Sequence, residues 1–110
     1  MKNIDISVKN GCIASKKIFD ENYKVGYMMR EAPSNNFPDS GWRFFVGNEN
    51  ENFTQNSENF KIYMIETIIK HDQNIEKYLN NPIGSKFIRI NEFEFKKDDE
   101  NTEIYISKVE

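Results

Sequence analysis

Trp42-Arg43-Phe44-Phe45-Val46 is the most apolar run of the chain, and Gly47 closes it. Aromatic and β-branched side chains fit the pleated surface of a sheet, and a buried run this short is typical of a strand. The stretch therefore predicts a central strand.

A loop and a second strand precede this stretch. Residues 31–41 are dense in Pro, Asn, Ser and Asp, which predicts a loop that ends at Gly41. We expect Asp39 or Ser40 to accept backbone N–H groups there, and Gly41 to adopt a backbone conformation closed to other residues. Residues 24–30 predict an extended strand. The residues expected on one face of that strand are Val25, Tyr27 and Met29.

A hairpin is predicted at the start of the chain. Apolar and polar residues alternate over residues 4–8, and Asn10-Gly11 then separates them from residues 12–15. Asn-Gly favours the type I′ turn, because both central residues of that turn need a positive φ. In this register Val8 pairs with Ile13 on the same face of the sheet.

The period changes to that of a helix from Phe60 to Leu79, after a polar segment, residues 48–59, that predicts a surface loop. Residues 71–74 interrupt the pattern and offer caps for a second short helix, which ends before Pro82. The segment therefore predicts a helical pair. The residues expected on the first helical face are Ile62, Ile65, Ile68 and Ile69.

The last third of the chain returns to period two. The alternating residues are Ile88 and Ile90, and then, with the opposite parity, Phe93 and Phe95. This change of parity predicts a bulge or a tight corner near Asn91-Glu92. Residues 96–102 are charged and turn-like, and the alternation at Ile104 and Ile106 predicts a final hairpin.

The order of these elements predicts the α+β class: a mostly antiparallel sheet with a short helical pair packed on one face. Hydrophobic residues make up 37% of the chain and the net charge is only −3, so a folded core is expected. At 110 residues, the chain is expected to form one domain over residues 1–110.

Several classes of protein are disfavoured by composition. The longest apolar run falls well short of the roughly 18 residues that a membrane span needs. The first residues lack the apolar core of a signal peptide, and a single cysteine, Cys12, suits a reducing compartment. We therefore expect a cytoplasmic location. A pI near 5.3 argues against a general nucleic-acid binder, which needs a basic face.

The sequence offers little that suggests catalysis or metal binding. One cysteine and one histidine cannot supply the nitrogen and sulfur ligands of a zinc site, and no cofactor is expected. His71 is expected to be solvated or to cap a helix, and Cys12 to be a small buried hydrophobe. Ser40 lacks the G-x-S-x-G elbow of a nucleophilic serine. We therefore expect no enzymatic activity.

Five blocks of sequence follow one another in a recognisable order between residues 12 and 93. They are Cys12-Ile-Ala-Ser-Lys-Lys17, Lys24-Val-Gly-Tyr-Met-Met-Arg-Glu31, Asp39-Ser-Gly-Trp-Arg-Phe-Phe-Val-Gly47, Asn59-Phe-Lys-Ile-Tyr63 and Pro82-Ile-Gly-Ser-Lys-Phe-Ile-Arg89. In order and spacing these blocks resemble the bacterial immunity-protein family numbered thirty-three. The chain departs from the family pattern at Ala32 and at Asn48, where members carry an acidic residue.

The resemblance implies a function in bacterial conflict. A member of this family is expected to neutralise a cognate toxin in the cytoplasm by stoichiometric binding, without catalysis, and the best immunity complexes are extremely tight. The alternative is a protein-interaction or regulatory domain whose ligand is unknown.

The residues selected for partner binding come from the matched blocks and from two acidic runs. The three arginines of the chain either pair with a carboxylate such as Glu31 or Asp39, or contact the partner. Trp42 is either a core residue or an interface anchor. The acidic runs, Glu49-Asn50-Glu51 and Asp98-Asp99-Glu100, are either solvated loops or a surface for a basic toxin. The selected residues are Arg30, Glu31, Asp39, Trp42, Arg43, Glu49, Asp98, Asp99 and Glu100.

Overall fold

A six-stranded sheet organises residues 10–98, which are the residues that the computed structural model describes. Its strands are β1 (Gly11–Ser15), β2 (Tyr27–Arg30), β3 (Asp39–Phe45), β4 (Phe60–Met64), β5 (Lys86–Arg89) and β6 (Phe95–Lys97). Their order across the sheet is β4-β1-β3-β2-β5-β6, and only β1 and β3 run parallel. The predicted α+β class with a mostly antiparallel sheet is confirmed.

Short helices connect the strands. The α-helices are α1 (Lys17–Asp20), α2 (Glu51–Thr54) and α3 (Ile65–His71), and the 3-10 helices span Ser57–Asn59 and Gln73–Tyr78. Asp72 caps the second 3-10 helix by accepting a hydrogen bond from the N–H of Asn74, which confirms the cap predicted there. None of these helices, all within residues 10–98, has the length and apolar character that crossing a bilayer requires.

The predicted central strand is confirmed, since β3 lies between β1 and β2 and all seven of its residues are buried. The strand nevertheless begins at Asp39, which pairs with Gly11 of β1. The loop that we predicted over residues 31–41 therefore ends at Pro38, and its last three residues belong to the sheet. Pairing with a distant strand has outweighed the local turn preference of Asp, Ser and Gly.

One face of the sheet packs under α3 and the second 3-10 helix, as the predicted helical pair requires. The buried side chains on this face form the first core, and those at its centre are fully shielded from solvent. Its buried residues are Cys12, Ala14, Ile18, Val25, Met28, Trp42, Phe44, Ile65, Ile68, Ile75, Leu79, Phe87 and Phe95. Ile65 and Ile68 are buried and Ile69 packs against the core, which confirms three of the four residues expected on the first helical face.

The opposite face carries a second, smaller core. Its buried residues are Tyr27, Met29, Phe45 and Phe60, with Ile13, Phe53 and Ile88 packed against them. The prediction that Val25 shares a face with Tyr27 and Met29 is wrong, because Val25 packs in the first core. The reason is that β2 starts only at Tyr27, so the alternation of a strand does not extend back to Val25.

The predicted N-terminal hairpin is wrong, because both edges of β1 are occupied by other strands. Ile13 lies opposite Arg43 of β3 on one side and Ile62 of β4 on the other, so neither edge of Ile13 is open to a hairpin partner. Residues 4–8 themselves lie outside the described residues. The backbone at Asn10-Gly11 instead forms hydrogen bonds with distant segments of the chain. The Gly11 N–H donates to the Pro38 carbonyl.

The first five residues of the predicted helix form β4 instead. In this stretch apolar residues recur at every second position, and each residue pairs with β1, so α3 begins only at Ile65. Ile62, which we expected on a buried helical face, is 53% exposed. The predicted surface loop over residues 48–59 is also partly wrong, since it holds α2 and a 3-10 helix, capped by Asn50 and Asn56.

The predicted corner after β5 is confirmed. Asn91 accepts hydrogen bonds from the N–H groups of Phe93 and Glu94, which turns the chain from β5 into β6. Lys96 and Lys97 lie in β6 and not in a turn, which corrects the start of the predicted turn over residues 96–102. The alternating residues predicted to form the last strand, Ile104 and Ile106, lie outside the described residues.

Candidate partner-binding site

Arg43 is the centre of a buried ion cluster on β3. Its Nη1 and Nη2 atoms donate to the two carboxylate oxygens of Asp39 at 2.9 and 2.8 Å, and its Nε donates to Glu31 at 2.6 Å. The side chains of Arg43 and Asp39 are 6% and 0% exposed, and that of Glu31 is 24% exposed. We call Glu31, Asp39 and Arg43 the ion cluster. Its planar, forked geometry explains why arginine and not lysine stands at position 43.

A bulge in β3 brings two members of the ion cluster together. Asp39 and Arg43 are four residues apart, a separation of about 13 Å along a regular strand. Opposite them, β1 advances only from Gly11 to Ile13, so β3 carries extra residues at this point. Gly41 lies in the bulge with a φ of +93°. The kink lets the Asp39 carboxylate meet the guanidinium in bidentate contact.

Electrostatics hold the ion cluster in its charged form. Burial by itself raises the pKa of Asp39, but hydrogen bonds from Arg43, Ser34 and Gly41 and the positive charge of Arg43 outweigh burial, so this pKa lies below its usual value. Burial likewise disfavours the charged form of Arg43, and the bonds to Asp39 and Glu31 overcome it and raise the Arg43 pKa.

Asp39 and Ser40 also order the loop before β3, as predicted. The Asp39 carboxylate accepts from the N–H groups of Ser34 at 2.6 Å and Gly41 at 2.9 Å. The Ser40 hydroxyl donates to the Gly11 carbonyl at 2.7 Å and accepts from the Trp42 N–H at 3.2 Å. These bonds confirm that the two side chains serve as acceptors of backbone N–H groups.

Gly41 is required by both conformation and space, so Gly41→Ala is expected to destabilise the fold. Its φ is positive, and an added Cβ would lie 2.2 Å from the Glu31 carbonyl oxygen. Gly84 is a matched control because its φ is +100° and nothing lies within 4 Å of an added Cβ. Urea unfolding should show a loss of about 1 kcal/mol or more for Gly84→Ala and a clearly larger loss for Gly41→Ala. Equal losses would contradict the close approach.

Trp42 lies in the first core and not on the surface. Its side chain is fully buried, and its Nε1 donates to the Leu79 carbonyl at 3.1 Å. The indole stacks on Phe44 and Phe87 with ring centroids 6.1 and 6.5 Å away. The sequence left two roles open for Trp42, and the structure shows that it is a core residue.

The other two arginines are also engaged within the protein. Arg30 donates to the carbonyls of Ser40 and Asn81, both at 2.9 Å. Burial lowers the pKa of the Arg30 guanidinium. Arg89 forms an ion pair with Asp72 and donates to the Val25 carbonyl at 2.7 Å. The expectation that each arginine pairs with a carboxylate holds for Arg43 and Arg89, whereas Arg30 binds backbone carbonyls.

The selected acidic residues lie apart from the ion cluster. Glu49 is buried at the other end of β3, where it accepts from the N–H groups of Val46 and Gly47 at 2.8 and 2.9 Å. It is therefore not part of an exposed acidic run with Glu51. Asp98 follows β6 and accepts from the Tyr27 hydroxyl at 3.1 Å. The other selected acids, Asp99 and Glu100, lie outside the described residues.

A cleft of about 770 Å³ opens beside the ion cluster, on the face of the sheet that carries the second core. Its floor is formed by Ile13, Phe60 and Ile62, and its wall by Pro33, Phe37 and Arg43. Ile62 is 53% exposed. Met64, two residues further along β4, is 48% exposed. The cleft therefore combines an apolar floor with a wall that the ion cluster holds in place.

Sequence reasoning missed β4 as part of this site. The alternation of Phe60, Ile62 and Met64 with Lys61 and Tyr63 was the available signal, because period two places the first three side chains on one face. The helical spacing of Ile62, Ile65 and Ile69 competed with it.

The remaining candidate chemistry is structural. Burial raises the pKa of the Cys12 thiol to about 12, which keeps it protonated at neutral pH. His71 ends α3, and its Nε2 lies 2.7 Å from the Tyr23 carbonyl oxygen. Within residues 10–98, no group of three or more His, Cys, Asp or Glu side chains could hold a metal ion.

Comparison with known proteins assigns the chain to a family. The model of the immunity protein Imm33 domain matches residues 12–105, a range that contains the ion cluster, the cleft and nearly all of the sheet. No curated protein and no solved structure matches the chain. Because the match spans most of the sequence, this chain belongs to the Imm33 family of immunity-protein domains.

Proposed function

We propose that this protein neutralises a cognate bacterial toxin by stoichiometric binding and carries out no catalysis of its own. The observation that carries the proposal is membership of the Imm33 family, whose matched range includes the whole cleft. We infer that the complex forms in the cytoplasm, without a nucleic acid or a membrane as partner.

The geometry supports a binding role. Arg43 donates four hydrogen bonds, to Asp39, to Glu31 and to the Trp42 carbonyl, and these bonds fix the wall of the cleft. A rigid surface loses little conformational entropy when a partner docks, which favours tight binding. We therefore propose that the toxin covers the cleft and that Asp39 and Arg43 act by holding the cleft in shape. The other buried members of the selected set, Trp42 and Glu49, act by holding β3 in place from the first core and from the far end of the strand.

The test is co-expression with a candidate toxin domain, taken from a gene that neighbours the gene of this protein. Cells that express the toxin alone should stop growing, and cells that also express this protein should grow. Native mass spectrometry of the purified mixture should show a complex of fixed stoichiometry. A non-cognate immunity protein is the control. If the toxin kills equally well in the presence of this protein, the proposed function is wrong for that pair.

A protein-interaction domain with another ligand is the alternative function. It shares the need for a binding surface, but it predicts no protection against the neighbouring toxin. Protection in the growth assay therefore discriminates between the two functions.

We further propose that the toxin surface is basic, as expected of enzymes that hold phosphates. The net charge of −3 and the acidic run Asp98-Asp99-Glu100 motivate this proposal. Attraction between exposed charges is screened beyond about 8 Å at physiological salt. Raising the salt concentration should therefore slow association more than it speeds dissociation, as measured by stopped-flow mixing.

Neutralising the acidic run tests the same point. A variant with Asp98→Asn, Asp99→Asn and Glu100→Gln should associate more slowly and depend less on salt. The control variant, with Glu76→Gln, Glu92→Gln and Glu94→Gln, changes the net charge equally at other positions. If the association rate does not change with salt concentration, the acidic run does not attract the toxin and serves only solubility.

A further inference from the structure

The two edge strands of the sheet differ in how they are protected from pairing with another chain. Among residues 10–98 the sheet ends at β6 on one side and at β4 on the other. Strand β6 has only three residues, and Lys96 and Lys97 in it are exposed, which are common devices against edge-to-edge pairing. Strand β4 has five residues, and its three side chains on the cleft face, Phe60, Ile62 and Met64, are all apolar.

The register of β4 shows which of its backbone groups point outward. Hydrogen bonds join Lys16 to Asn59 at 2.9 Å and Ile65 to Asn10 at 2.8 Å, so every second residue between them bonds to β1. The intervening residues direct their N–H and C=O groups away from β1. The Phe60 N–H bonds to Ser57, and the Met64 carbonyl lies at the N-cap of α3.

Four outward groups therefore remain on this edge: the Phe60 C=O, the Ile62 N–H and C=O, and the Met64 N–H. None of them has a hydrogen-bond partner among residues 10–98. Their spacing matches the donors and acceptors that an added strand offers. An extended segment bound here would place alternate side chains beside Ile62 and Met64, at the mouth of the cleft.

Charge at the two ends of β4 indicates the chemistry of this segment. Glu58 and Glu66, just before and just after β4, are both exposed. Lys61, between them, is also exposed and lines part of the cleft, and its Nζ lies 5.5 Å from the ring of Tyr63. A segment with basic residues at its ends and apolar residues between them complements this edge.

We propose that the outer edge of β4 binds an extended segment of the toxin as an added strand, whose apolar side chains pack on Ile62 and Met64 and whose ends carry basic residues. The proposal rests on the proposed function and names the part of the surface that performs it. Main-chain bonds supply affinity in this mode of recognition, and the pockets for alternate side chains supply specificity.

The first test adds a charge to the edge. Ile62→Lys places an ammonium group on the cleft face of β4, and Ile83→Lys makes the same change at an isoleucine that is 56% exposed elsewhere. Binding of the toxin domain, measured by titration calorimetry, should weaken about tenfold or more for Ile62→Lys. It should change little for Ile83→Lys.

The second test removes one backbone donor without breaking the sheet. Met64 has a φ of −75°, which proline adopts, and its N–H points away from β1. Met64→Pro and Met64→Ala both lose the side chain, but only proline loses the N–H. The proline variant should bind the toxin more weakly than the alanine variant, while both melt at similar temperatures.

The outcomes separate this proposal from the proposed function. If the wild-type protein neither binds nor neutralises the toxin, the proposed function fails and the proposal fails with it. If the wild type neutralises the toxin and both test variants bind as well as their controls, only the added strand is refuted. Self-association of the wild type that Ile62→Lys abolishes would identify a second copy as the occupant and overturn the toxin assignment.

Discussion

Replacing Trp42 with alanine should destabilise the protein by about 3–5 kcal/mol, the range for truncation of a large buried aromatic side chain. The indole is fully buried between Phe44 and Phe87, so its removal leaves a cavity in the centre of the first core. The change also leaves the Leu79 carbonyl without the donor that Trp42 supplies. Because small domains are stable by about 5–15 kcal/mol, this loss is a large fraction of the total.

Thermal unfolding followed by circular dichroism measures this effect, and the melting temperature should fall by more than about 10 °C. Trp42→Phe is the matched control, since it keeps an aromatic ring in the core and removes the Nε1 donor. It should lose less stability than alanine does. An alanine variant that melts like the wild type but no longer binds the toxin would show that Trp42 is an interface anchor.

Replacing Arg43 with methionine should cost about 3–5 kcal/mol, because it leaves a buried carboxylate without its counter-charge. Asp39 is fully buried, and Arg43 supplies two of its hydrogen bonds and the neighbouring positive charge. Chemical denaturation at neutral pH measures the loss. The double variant Asp39→Asn with Arg43→Met should lose less than the sum of the two single variants, since the pair acts as a unit.

The effect of pH gives this prediction a second readout. In the wild type the pKa of Asp39 is lowered, so its contribution to stability is present above the unfolded-state pKa of about 4 and is lost as the pH falls further. Without Arg43, burial raises this pKa, and the protonated form is then favoured in the folded state. The gap in stability between wild type and Arg43→Met should therefore narrow as the pH is lowered toward 4. A constant gap would show that packing, and not charge, explains the loss.

Local chemistry made parts of the site predictable. The turn at Asp39, Ser40 and Gly41 follows from the short polar side chains and from the φ that only glycine adopts readily. The corner at Asn91 follows from the change of parity between the two strands. In each case the interacting groups lie within a few residues, so the sequence alone contains both partners.

The partners of the arginines were only half predictable. The residue type indicated a need for a planar fork, and a carboxylate partner was one of the two roles considered for each arginine. Arg43 contacts Asp39 because β3 has a bulge between them, and the sequence alone does not predict that bulge. Arg89 finds Asp72, 17 residues away, and Arg30 finds the carbonyl of Asn81, 51 residues away. These choices depend on which strands become neighbours.

Patterns in the sequence were enough to predict the α+β class, the central position of β3, the cap at Asp72, the corner at Asn91 and membership of the immunity-protein family. The strand at residues 60–64 and the position of β1 between β3 and β4 became evident only in the folded sheet. Ile62 belongs to two patterns at once, because its spacing from Phe60 and Met64 fits a strand and its spacing from Ile65 fits a helix. Pairing between Cys12 and Tyr63, 51 residues apart, resolves that choice, because sheet hydrogen bonds and side-chain burial are gained only when distant segments meet.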